Sequence, residues 1–597
     1  MFSKVLVANR GEIAIRVMRS LEELGVATVA VYSEPDRDAP HVRRAGEAYL
    51  LGPGPAAESY LNVDKILEVV RESGAEAVHP GYGFLAENAA FARACDGAGV
   101  VWIGPPADAI DAMGSKTKAR ELMKDAGVPI VPGTTDPVDT VDDARTIIDQ
   151  SIGYPVAIKA AGGGGGKGFR VAETEDQLQD AFEGAAREGE KFFSDSTVYI
   201  ERYLPDPRHV EVQVLADSHG NVVHLFERDC SVQRRHQKLI EESPAPAVDP
   251  ELRERIGRIG TEAAKAVGYR SAGTIEGLLQ DGEYFFLEMN TRVQVEHCVT
   301  EMVTGVDIVR EQIRVAAGEE LPFTQDDVEI RGHAIECRIN AEDASKRFAP
   351  APGRIGSYRE PSGPGVRVDS GAEAGYEVLP LYDPMIAKLI VWDVDREAST
   401  RRMLRALSEF EIGGLKPLLP FHRALLATDQ WANGETCRDL VEDKDWLKQL
   451  AFPKPEGRSE ENDEAEKVER EYAVEVSGRR FDVKVIGEPF AAGGGGNGAA
   501  PAGARKPPKR SERKSSGGGG PDEITSPLQG NMWKVSVKKG DTVEEGQLLC
   551  IIEAMKMENE ITAHKAGKVE ELPIEEGKPI NAGDPIATIT SVDGGGS

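Results

Sequence analysis

Cysteine is scarce in this chain of 597 residues, which has only six, at positions 95, 230, 298, 337, 437 and 550. None of them forms a C-x-x-C pair or has zinc-site spacing, which excludes a dense disulfide framework and a zinc site of the usual kind. Long apolar runs are also missing, since none approaches the roughly 18 residues that a membrane-spanning helix needs. No signal-peptide pattern precedes the strand-like start at residues 4–7. We therefore expect a cytoplasmic protein with no membrane partner.

Basic residues are outnumbered in this chain. The 71 Lys and Arg residues face 101 Asp and Glu, which gives a net charge of −30. This balance disfavours nucleic acid as a partner, because phosphate backbones attract basic surfaces. A site for anionic substrates must then be a local basic cluster that works against the field of the whole protein. The length and the hydrophobic fraction of 40% predict several globular domains.

The C-terminal part contains an internal repeat. Residues 523–553 match residues 560–590 at a constant offset of 37, so that Gly530, Gly540 and Gly546 fall on glycines 567, 577 and 583. Short β-rich runs that end at glycines predict strands joined by turns, and the repeat predicts two like halves of a small flattened β-barrel. Only residues 554–559 remain between the halves. Lys556 is therefore predicted on the tight, exposed connection that joins them.

Lys556 lies in the motif Glu553-Ala554-Met555-Lys556-Met557, which resembles the attachment site of biotin carrier domains. The resemblance implies biotin joined covalently to Lys556 by a biotin protein ligase. The alternative is a charged surface residue between two methionines that fill gaps in the core. The position of the motif at the symmetry junction favours the biotin site, because an enzyme can reach a lysine at an exposed hairpin tip.

Residues 1–447 alternate strand-like and helical stretches, which predicts an α/β architecture with a parallel sheet at the N-terminus. The turn at Asn9-Arg10-Gly11 lacks G-x-G-x-x-G spacing, so a dinucleotide site is not predicted. Five consecutive glycines at 162–166 follow a strand-like run, and their backbone N–H groups can approach phosphate oxygens. No Walker motif is present. We interpret this loop as a lid that closes over ATP, with an inert flexible loop as the alternative.

Two carboxylates and an amide close strand-like runs further along the chain, at Glu276, Glu288 and Asn290. Oxygen ligands of this kind suit a Mg2+ ion that bridges ATP phosphates. The run 292–296 that follows carries a cation, an amide and a carboxylate at alternate positions. In an extended chain these three side chains share one face, so we expect them to converge beside the metal.

Residues 1–447 resemble biotin carboxylase, an ATP-grasp enzyme, nearly from end to end. The matching segments are Val7 to Ala14, His79 to Asn88, the glycine loop, Glu227 to Lys238, Glu288 to Arg292 and Arg338 to Asp343. Residues 522–592 resemble the biotinyl carrier domain. The presence of both in one chain is similar to the α subunit of acyl-CoA carboxylases of the acetyl- or propionyl-CoA type. The resemblance implies an α/β and α+β multidomain fold that ends in a small all-β flattened barrel.

The resemblance and the linker composition together predict the domain boundaries. These are an N-terminal α/β domain (1–114), an ATP-grasp domain (115–330) with a glycine-rich lid (about 131–204), a C-terminal domain (331–447), an acidic linker (448–471), a β-hairpin that is a candidate subunit contact (472–486), a Gly, Pro and basic linker (487–521) and the biotinyl domain (522–592). A linker rich in glycine behaves as a flexible tether.

The family mechanism implies a role for each matching residue. In that mechanism ATP phosphorylates bicarbonate, and the resulting carboxyphosphate supplies CO2 to biotin. Nucleotide contacts are implied for Lys116, Lys159, Gly164, Gly165, Gly166, Glu201, Leu204, His209, Gln233 and His236, and binding of Mg2+ or Mn2+ for Glu276, Glu288 and Asn290. Glu296 is implied as the base on bicarbonate, held by Arg292, Gln294 and the Val295 backbone. Lys238 would stabilise carboxyphosphate, and Arg338 the enolate form of the biotin ureido group.

No segment of the chain is long enough for a carboxyltransferase domain. The resemblance therefore implies a separate carboxyltransferase β subunit that makes malonyl-CoA or methylmalonyl-CoA. It also implies a homodimer of carboxylase domains or a larger α/β hetero-oligomer. Two alternatives are another ATP-grasp ligase with an incidental β domain, and a carrier and assembly scaffold with weak catalysis. The intact set of charged site residues disfavours the scaffold.

Overall fold

The computed structural model describes residues 1–134, 136–160, 168–193, 196–234, 237–452, 468–476, 479–487, 523–526, 530–554, 557–580 and 583–590. The chain divides into two compact units, one of residues 1–451 with 522–597 and one of residues 452–521. Within the described ranges, no helix is long and apolar enough to cross a membrane. The cytoplasmic location stays a prediction.

The N-terminal segment forms a five-stranded parallel sheet. Its strands are β1 (Lys4–Val7), β2 (Ala27–Ser33), β3 (Glu47–Gly52), β4 (Ala77–His79) and β5 (Val101–Trp102), and its helices are α1 (Gly11–Glu23), α2 (Pro40–Arg44), α3 (Val63–Ser73), α4 (Ala89–Gly97) and α5 (Ala107–Gly114). The strand order is β3-β2-β1-β4-β5. Val5 and Val7 pack in one apolar cluster and Leu6 in another, because helices cover both faces of a parallel sheet. Gly11 opens α1 with a φ of +64°, a conformation that favours glycine.

The next segment carries a small antiparallel sheet and three helices. They are α6 (Lys116–Asp125), α7 (Val141–Ile147), β6 (Val156–Ala160), β7 (Phe169–Ala172), α8 (Leu178–Phe193) and β8 (Val198–Arg202). The strand order is β7-β6-β8, and Lys159 pairs with Phe169. This pairing holds together the two chain segments on either side of the glycine run. Residues 161–167, which include that run, lie outside the described part of the chain.

Residues 205–448 contain the largest sheet of the described part of the chain. The strands are β9 (Arg208–Ala216), β10 (Val222–Arg234), β11 (Gln237–Ser243), β12 (Ser271–Gln280), β13 (Glu283–Asn290), β14 (His333–Asn340), β15 (Glu342–Asp343), β16 (Ala349–Pro350), β17 (Gly353–Arg354), β18 (Ser357–Arg359), β19 (Val366–Ser370), β20 (Glu377–Val378), β21 (Met385–Asp393) and β22 (Glu411–Gly413). The helices are α9 (Pro250–Ala266), α10 (His297–Thr304), α11 (Ile308–Ala316), α12 (Arg396–Glu409), α13 (Leu419–Leu426), α14 (Asp429–Ala432), α15 (Arg438–Glu442) and α16 (Lys444–Lys448).

Eight of these strands form one antiparallel sheet, in the order β13-β12-β9-β10-β11-β14-β21-β19. The sheet runs across the predicted boundary between residues 330 and 331. Its strand β14 alternates: Ile335, Cys337 and Ile339 pack in an apolar core with α12 and α13. The residues between them, Glu336 and Arg338, must then point to the other face. That polar face is where the candidate site lies.

A β-hairpin follows α16 in the sequence. Strands β23 (Val468–Val476) and β24 (Arg479–Gly487) pair antiparallel from Val468 opposite Gly487 to Val476 opposite Arg479. The alternation in the sequence predicted this hairpin over a shorter range, 472–486. The acidic segment before it and the Gly, Pro and basic segment after it lie outside the described residues.

The C-terminal segment forms two four-stranded sheets. The strands are β25 (Glu523–Thr525), β26 (Gly530–Val535), β27 (Thr542–Val543), β28 (Leu548–Ala554), β29 (Met557–Thr562), β30 (Gly567–Glu571), β31 (Pro579–Ile580) and β32 (Pro585–Thr590). One sheet has the order β25-β32-β30-β27 and the other β29-β28-β26-β31. A shift of 37 residues places β26, β27 and β28 on β30, β31 and β32 in the sequence. The two sheets are therefore equivalent under the repeat. The predicted two-fold flattened barrel is confirmed.

Candidate active site

Lys238 on β11 is the centre of a buried polar cluster. Its Nζ donates to Glu211 Oε2 at 2.5 Å, to Glu296 Oε1 at 2.6 Å and to Glu276 Oε1 at 2.8 Å. A fourth contact, 3.1 Å long, reaches Gln294 Oε1. Strands β9 and β12 supply Glu211 and Glu276, while Gln294 and Glu296 come from the loop that leads into α10. One ammonium group thus ties together two strands and a loop that are far apart in the sequence.

Arg228 is a second buried cation that binds Glu211 of this cluster. Its side chain has no solvent exposure, and its Nε donates to Glu211 Oε1 at 2.6 Å. Its other donors reach Gln213, Thr300 and Thr274 at 2.8 to 3.2 Å. Both oxygens of Glu211 therefore accept from a cation. A buried carboxylate with two such partners is fixed in place, since each hydrogen bond to a charged group is short and strong.

Arg338 on β14 approaches the cluster from the opposite side. Its Nη2 donates to Glu296 Oε2 at 2.8 Å and its Nε to Glu241 Oε1 at 2.5 Å. Glu296 therefore lies between two cations, with Lys238 on one oxygen and Arg338 on the other. Glu296 is also completely buried. Such a carboxylate has its position and orientation determined from both sides.

The cations set the protonation of this cluster. Burial would raise the pKa of Glu296, but Lys238, Arg338 and Arg228 together hold that pKa well below its usual value. Burial likewise opposes the charge of Lys238, yet its carboxylate partners raise its pKa well above the ordinary value. Glu241 differs, because burial raises its pKa to about 7 despite the neighbouring Arg338. Glu296 is thus a carboxylate at neutral pH, and Glu241 is a carboxyl group that titrates near neutrality.

The loop at residues 291–296 brings its polar side chains to the site in an unexpected way. The alternation predicted an extended segment with three side chains on one face, but this run is an irregular loop and turn that leads into α10. Gln294 and Glu296 do converge on Lys238. Arg292 instead donates to Glu87 Oε2 at 2.8 Å and to Asn290 Oδ1 at 3.0 Å. Glu296 is therefore held by Lys238 and Arg338. The contacts of Arg292, Gln294 and the Val295 backbone with bicarbonate stay predictions.

The three predicted metal ligands lie at one edge of the large sheet. Glu276 on β12 is directly opposite Glu288 on β13, and Asn290 Nδ2 donates to Glu276 Oε1 at 2.8 Å. Burial would raise the pKa of Glu276, but Lys238 and His209 hold it well below the usual value. The set offers two carboxyl groups and an amide oxygen, which is the hard-oxygen chemistry that Mg2+ prefers. These residues fit a magnesium site.

Several predicted nucleotide residues lie around the same region. The predicted residues Lys159 and Glu201 form an ion pair across β6 and β8, and Arg120 Nη1 contacts the other oxygen of Glu201 at 2.8 Å. His209 Nε2 lies 3.0 Å from Glu276 Oε2. Leu204 is buried in a small apolar cluster with Val131 and Phe285.

The structure describes only some of the remaining residues that were predicted to bind the nucleotide. The side chain of Gln233 on β10 donates to the Cys230 carbonyl at 2.9 Å. Lys116 begins α6, but its side chain is not among those described. Gly164, Gly165, Gly166 and His236 lie outside the described residues. Their predicted contacts with the nucleotide stay predictions.

The predicted attachment lysine falls, in the sequence, between the paired strands β28 and β29. The two strands pair from Leu548 opposite Thr562 to Ala554 opposite Met557. Met555 and Lys556, between the last pair, are outside the described residues. The register leaves a two-residue connection between the halves of the barrel, where the repeat predicted it.

Sequence reasoning missed four residues of the cluster. Glu211, Arg228 and Glu241 contact Lys238 or Arg338 or each other, and Glu87 binds Arg292. A signal for Glu211 was available, because His209, Glu211 and Gln213 alternate with valines along β9. Polar side chains at every second position of an apolar strand line one face. Glu87 lies in the matching segment His79 to Asn88, but the sequence did not indicate its partner, which is 205 residues away.

Four protein-family models match the chain in succession. They are the biotin carboxylase N-terminal domain at 1–110, the ATP-binding domain of the carbamoyl-phosphate synthase L chain at 115–324, the biotin carboxylase C-terminal domain at 336–443 and the biotin-requiring enzyme domain at 521–589. The described fold and these matches agree on the predicted architecture.

Known proteins match both the first part and the whole of the chain. The biotin-dependent acyl-coenzyme A carboxylase alpha3 subunit of Mycobacterium leprae is 46% identical over 98% of each chain. A pyruvate carboxylase subunit of Methanothermobacter thermautotrophicus is 56% identical over 74% of this chain and 90% of its own.

A solved structure matches the first part of the chain. It is the biotin carboxylase domain dimer of the Hydrogenobacter thermophilus 2-oxoglutarate carboxylase, in complex with MgADP, ADP and bicarbonate. It is 48% identical with a TM-score of 0.70, and the match covers 76% of this chain and all of that one.

Proposed function

Because this chain belongs to the biotin carboxylase family, in the form that carries a biotinyl domain on the same polypeptide, we propose that it supplies carboxybiotin to a separate carboxyltransferase subunit. Its own reaction is the ATP- and bicarbonate-dependent carboxylation of biotin. The match to an acyl-CoA carboxylase α subunit over 98% of both chains supports an acyl-CoA as the final acceptor. The products of the complete reaction would be malonyl-CoA or methylmalonyl-CoA.

The position of Glu296 carries the proposal for the first step. It is a fully buried carboxylate between Lys238 and Arg338, so a bicarbonate ion that enters here meets a base and two cations at once. Proton removal by Glu296 makes bicarbonate a better nucleophile toward ATP. Its lowered pKa ensures that it is ionised before the substrate binds. Gln294 and Arg292 lie next to it and would complete the bicarbonate contacts.

The two cations have complementary roles in this proposal. Lys238, whose pKa is raised, stays charged in the buried site and would stabilise carboxyphosphate. Arg338 would stabilise negative charge on the ureido oxygen of biotin, which makes its nitrogen reactive toward CO2. Preorganised cations act more strongly in a buried site than in water, because no solvent has to reorient.

Glu276, Glu288 and Asn290 would hold Mg2+, for which Mn2+ is a proposed substitute. The ion supplies positive charge that offsets the charge of the transferred phosphoryl group. Lys116, Lys159, Glu201, Leu204, His209, Gln233 and His236, with the glycine run that contains Gly164, Gly165 and Gly166, would bind the nucleotide. The Val295 backbone would complete the bicarbonate site.

Lys556 is the proposed attachment point of biotin. The hairpin of β28 and β29 would present it to a biotin protein ligase, to the carboxylase site and to the partner in turn. The dimeric carboxylase domain in the solved structure supports a homodimer, and the hairpin of β23 and β24 is a candidate contact with the carboxyltransferase.

Phosphate release from ATP tests the proposed function most simply. We expect release to require bicarbonate and Mg2+ and to rise when free biotin is added. An unchanged rate with biotin would favour another ATP-grasp ligase. The acceptor is then identified with the co-purified partner, by offering acetyl-CoA, propionyl-CoA, longer acyl-CoAs and pyruvate. Turnover of pyruvate alone would contradict the acyl-CoA proposal and agree with the Methanothermobacter relative.

A further inference from the structure

Lys388 on β21 is a buried cation outside the cluster of Lys238. It has no solvent exposure, and its strand neighbours are Arg338 on β14 and Asp369 on β19. Its Nζ donates a hydrogen bond of 2.9 Å to the carbonyl oxygen of Val295. Val295 is the residue before Glu296. Lys388 therefore binds the main chain of the loop at residues 291–296 and leaves the Glu296 carboxylate to Lys238 and Arg338.

Two carboxylates fix Lys388 in turn. Glu12 Oε2 of α1 lies 3.4 Å from its Nζ, and Asp369 Oδ2 lies 3.8 Å away. Glu12 also accepts from the hydroxyl of Tyr82, in the loop after β4. These contacts connect the loop at residues 291–296 to α1, to the loop after β4 and to the edge strand β19 of the large sheet.

Asp369 is itself held firmly. Arg367 donates to both of its oxygens, at 3.1 and 2.7 Å, and the thiol of Cys298 on α10 donates at 3.2 Å. Arg367 also contacts Glu301 of α10 at 2.7 Å. The network thus anchors the first turns of α10 as well as the loop before it. Burial opposes the charge of Lys388, but the acidic groups around it keep its pKa above the ordinary value.

The contact with Val295 bears on Glu296 because the two residues share a peptide plane. Fixing the carbonyl oxygen of Val295 fixes the direction of the Glu296 N–H and the starting point of the Glu296 side chain. Glu296 is the N-terminal cap residue of α10, and it makes no side-chain capping bond to that helix. Its backbone orientation therefore depends on contacts such as the one from Lys388.

We propose that Lys388 is a positioning residue that holds the Val295–Glu296 peptide in the orientation required for bicarbonate. This inference rests on the proposed function. Lys388 is not among the residues proposed to bind a substrate, so its loss should affect the bicarbonate step and leave nucleotide binding intact. Arg338 and Glu336 are the other charged groups near it on β14, and in the described part of the chain no hydrogen bond joins either side chain to Val295.

The test measures steady-state phosphate release with free biotin for three variants. Lys388→Met removes the donor. Lys388→Met with Glu12→Gln also removes the carboxylate that would otherwise be buried without its cation. Lys388→Arg keeps the charge but not the geometry of a single donor. We expect kcat/KM for bicarbonate to fall about 10- to 100-fold in both methionine variants, because small misplacements of a catalytic group have effects of this size. The KM for ATP should stay within about twofold, and Lys388→Arg should recover part of the loss.

The matched control is Lys416→Met, which removes a partly exposed lysine that contacts Asp343 and should leave both KM values unchanged. A double variant with the bicarbonate kinetics of the unmodified chain would overturn the proposal, because the defect would then come from the lone Glu12 carboxylate. Equal changes in the KM of ATP and bicarbonate would also overturn it. If neither methionine variant folds, Lys388→Arg decides: an unchanged KM for bicarbonate contradicts the proposal. Absence of biotin-stimulated release in the unmodified chain would refute the proposed function instead.

Discussion

The large sheet and the carrier barrel are built on opposite principles. The polar face of the sheet buries the carboxylates of Glu211, Glu276 and Glu296 with the cations of Lys238 and Arg228. The barrel buries aliphatic side chains, and Ser526 is the one buried polar residue among those described there. Of these two regions, only the sheet buries charged side chains among the residues whose burial is described. The barrel is the domain on which the proposed attachment lysine, Lys556, lies in the sequence.

This difference has an energetic consequence. A buried charge network is stable only when it is complete, because removal of one member leaves its partners uncompensated. An aliphatic barrel has no such condition and responds mainly to lost volume in its core. We therefore expect changes in the sheet to alter catalysis and changes in the barrel to alter carrier folding or attachment.

The largest effect is expected at Lys556, the proposed attachment point of biotin. Lys556→Ala should abolish avidin reactivity and all carboxylation of the acyl-CoA acceptor, because no other residue would carry biotin. Carboxylation of free biotin should be unchanged, since the sheet is intact. An avidin blot and the two rate assays measure this. The control is Lys568→Ala, an exposed lysine on β30 of the same barrel. Avidin reactivity that survives in Lys556→Ala would place the biotin elsewhere.

Glu296→Gln should have the next largest effect. It should reduce the reaction at the large sheet and leave the barrel unchanged. The amide keeps the size of the side chain but cannot accept a proton, so bicarbonate-dependent phosphate release should fall by about 10²- to 10⁴-fold. Biotin should still be attached to Lys556 to the full extent, as measured by avidin binding. A rate within about threefold of the unmodified chain would exclude Glu296 as the base.

A cavity-forming substitution in the core of the barrel tests whether the barrel and the large sheet act independently. Ile552 on β28 is fully buried, and Ile552→Ala should destabilise the barrel by about 2–5 kcal/mol. Biotin attachment should decrease, while carboxylation of free biotin stays the same. Hydrogen exchange of the barrel amides reports the local loss of stability. A parallel fall in the free-biotin rate would show that the two regions do not act independently.

The smallest effect concerns a buried carboxyl group near the large sheet. Burial raises the pKa of Glu342 to about 7, above its value in the unfolded chain. Protonation therefore stabilises the fold relative to the ionised form; this stabilisation is complete below about pH 4.5 and is lost as the pH rises through 7. Glu342→Gln should thus increase stability at pH 8 by roughly 1–3 kcal/mol and change it little at pH 4.5.

Denaturant unfolding at the two pH values measures the Glu342 effect. The matched control is Glu545→Gln, an exposed residue of the barrel, which should change stability at neither pH. Equal stability of the Glu342→Gln and unmodified chains at pH 8 would contradict the raised pKa.

The sequence predicted the barrel better than the charged cluster, and the reason is the range of the contacts. The repeat and the motif around Lys556 lie within 70 residues, so local pattern was enough to locate the hairpin. The cluster joins Glu87, Glu211 and Arg338, which only the tertiary fold brings together. The loop before α10 shows the same limit: alternation predicted an extended segment, but packing against Lys238 and Lys388 makes it a turn.

The central claim is that this chain loads its own biotin at the site around Glu296. The direct measurement incubates biotinylated protein with MgATP and radiolabelled bicarbonate, and then counts label that stays with the chain after rapid gel filtration. We predict acid-labile label stoichiometric with biotin, absent from Lys556→Ala and strongly reduced in Glu296→Gln. Biotinylated protein that hydrolyses ATP but retains no label, or label that persists in Lys556→Ala, would contradict the account.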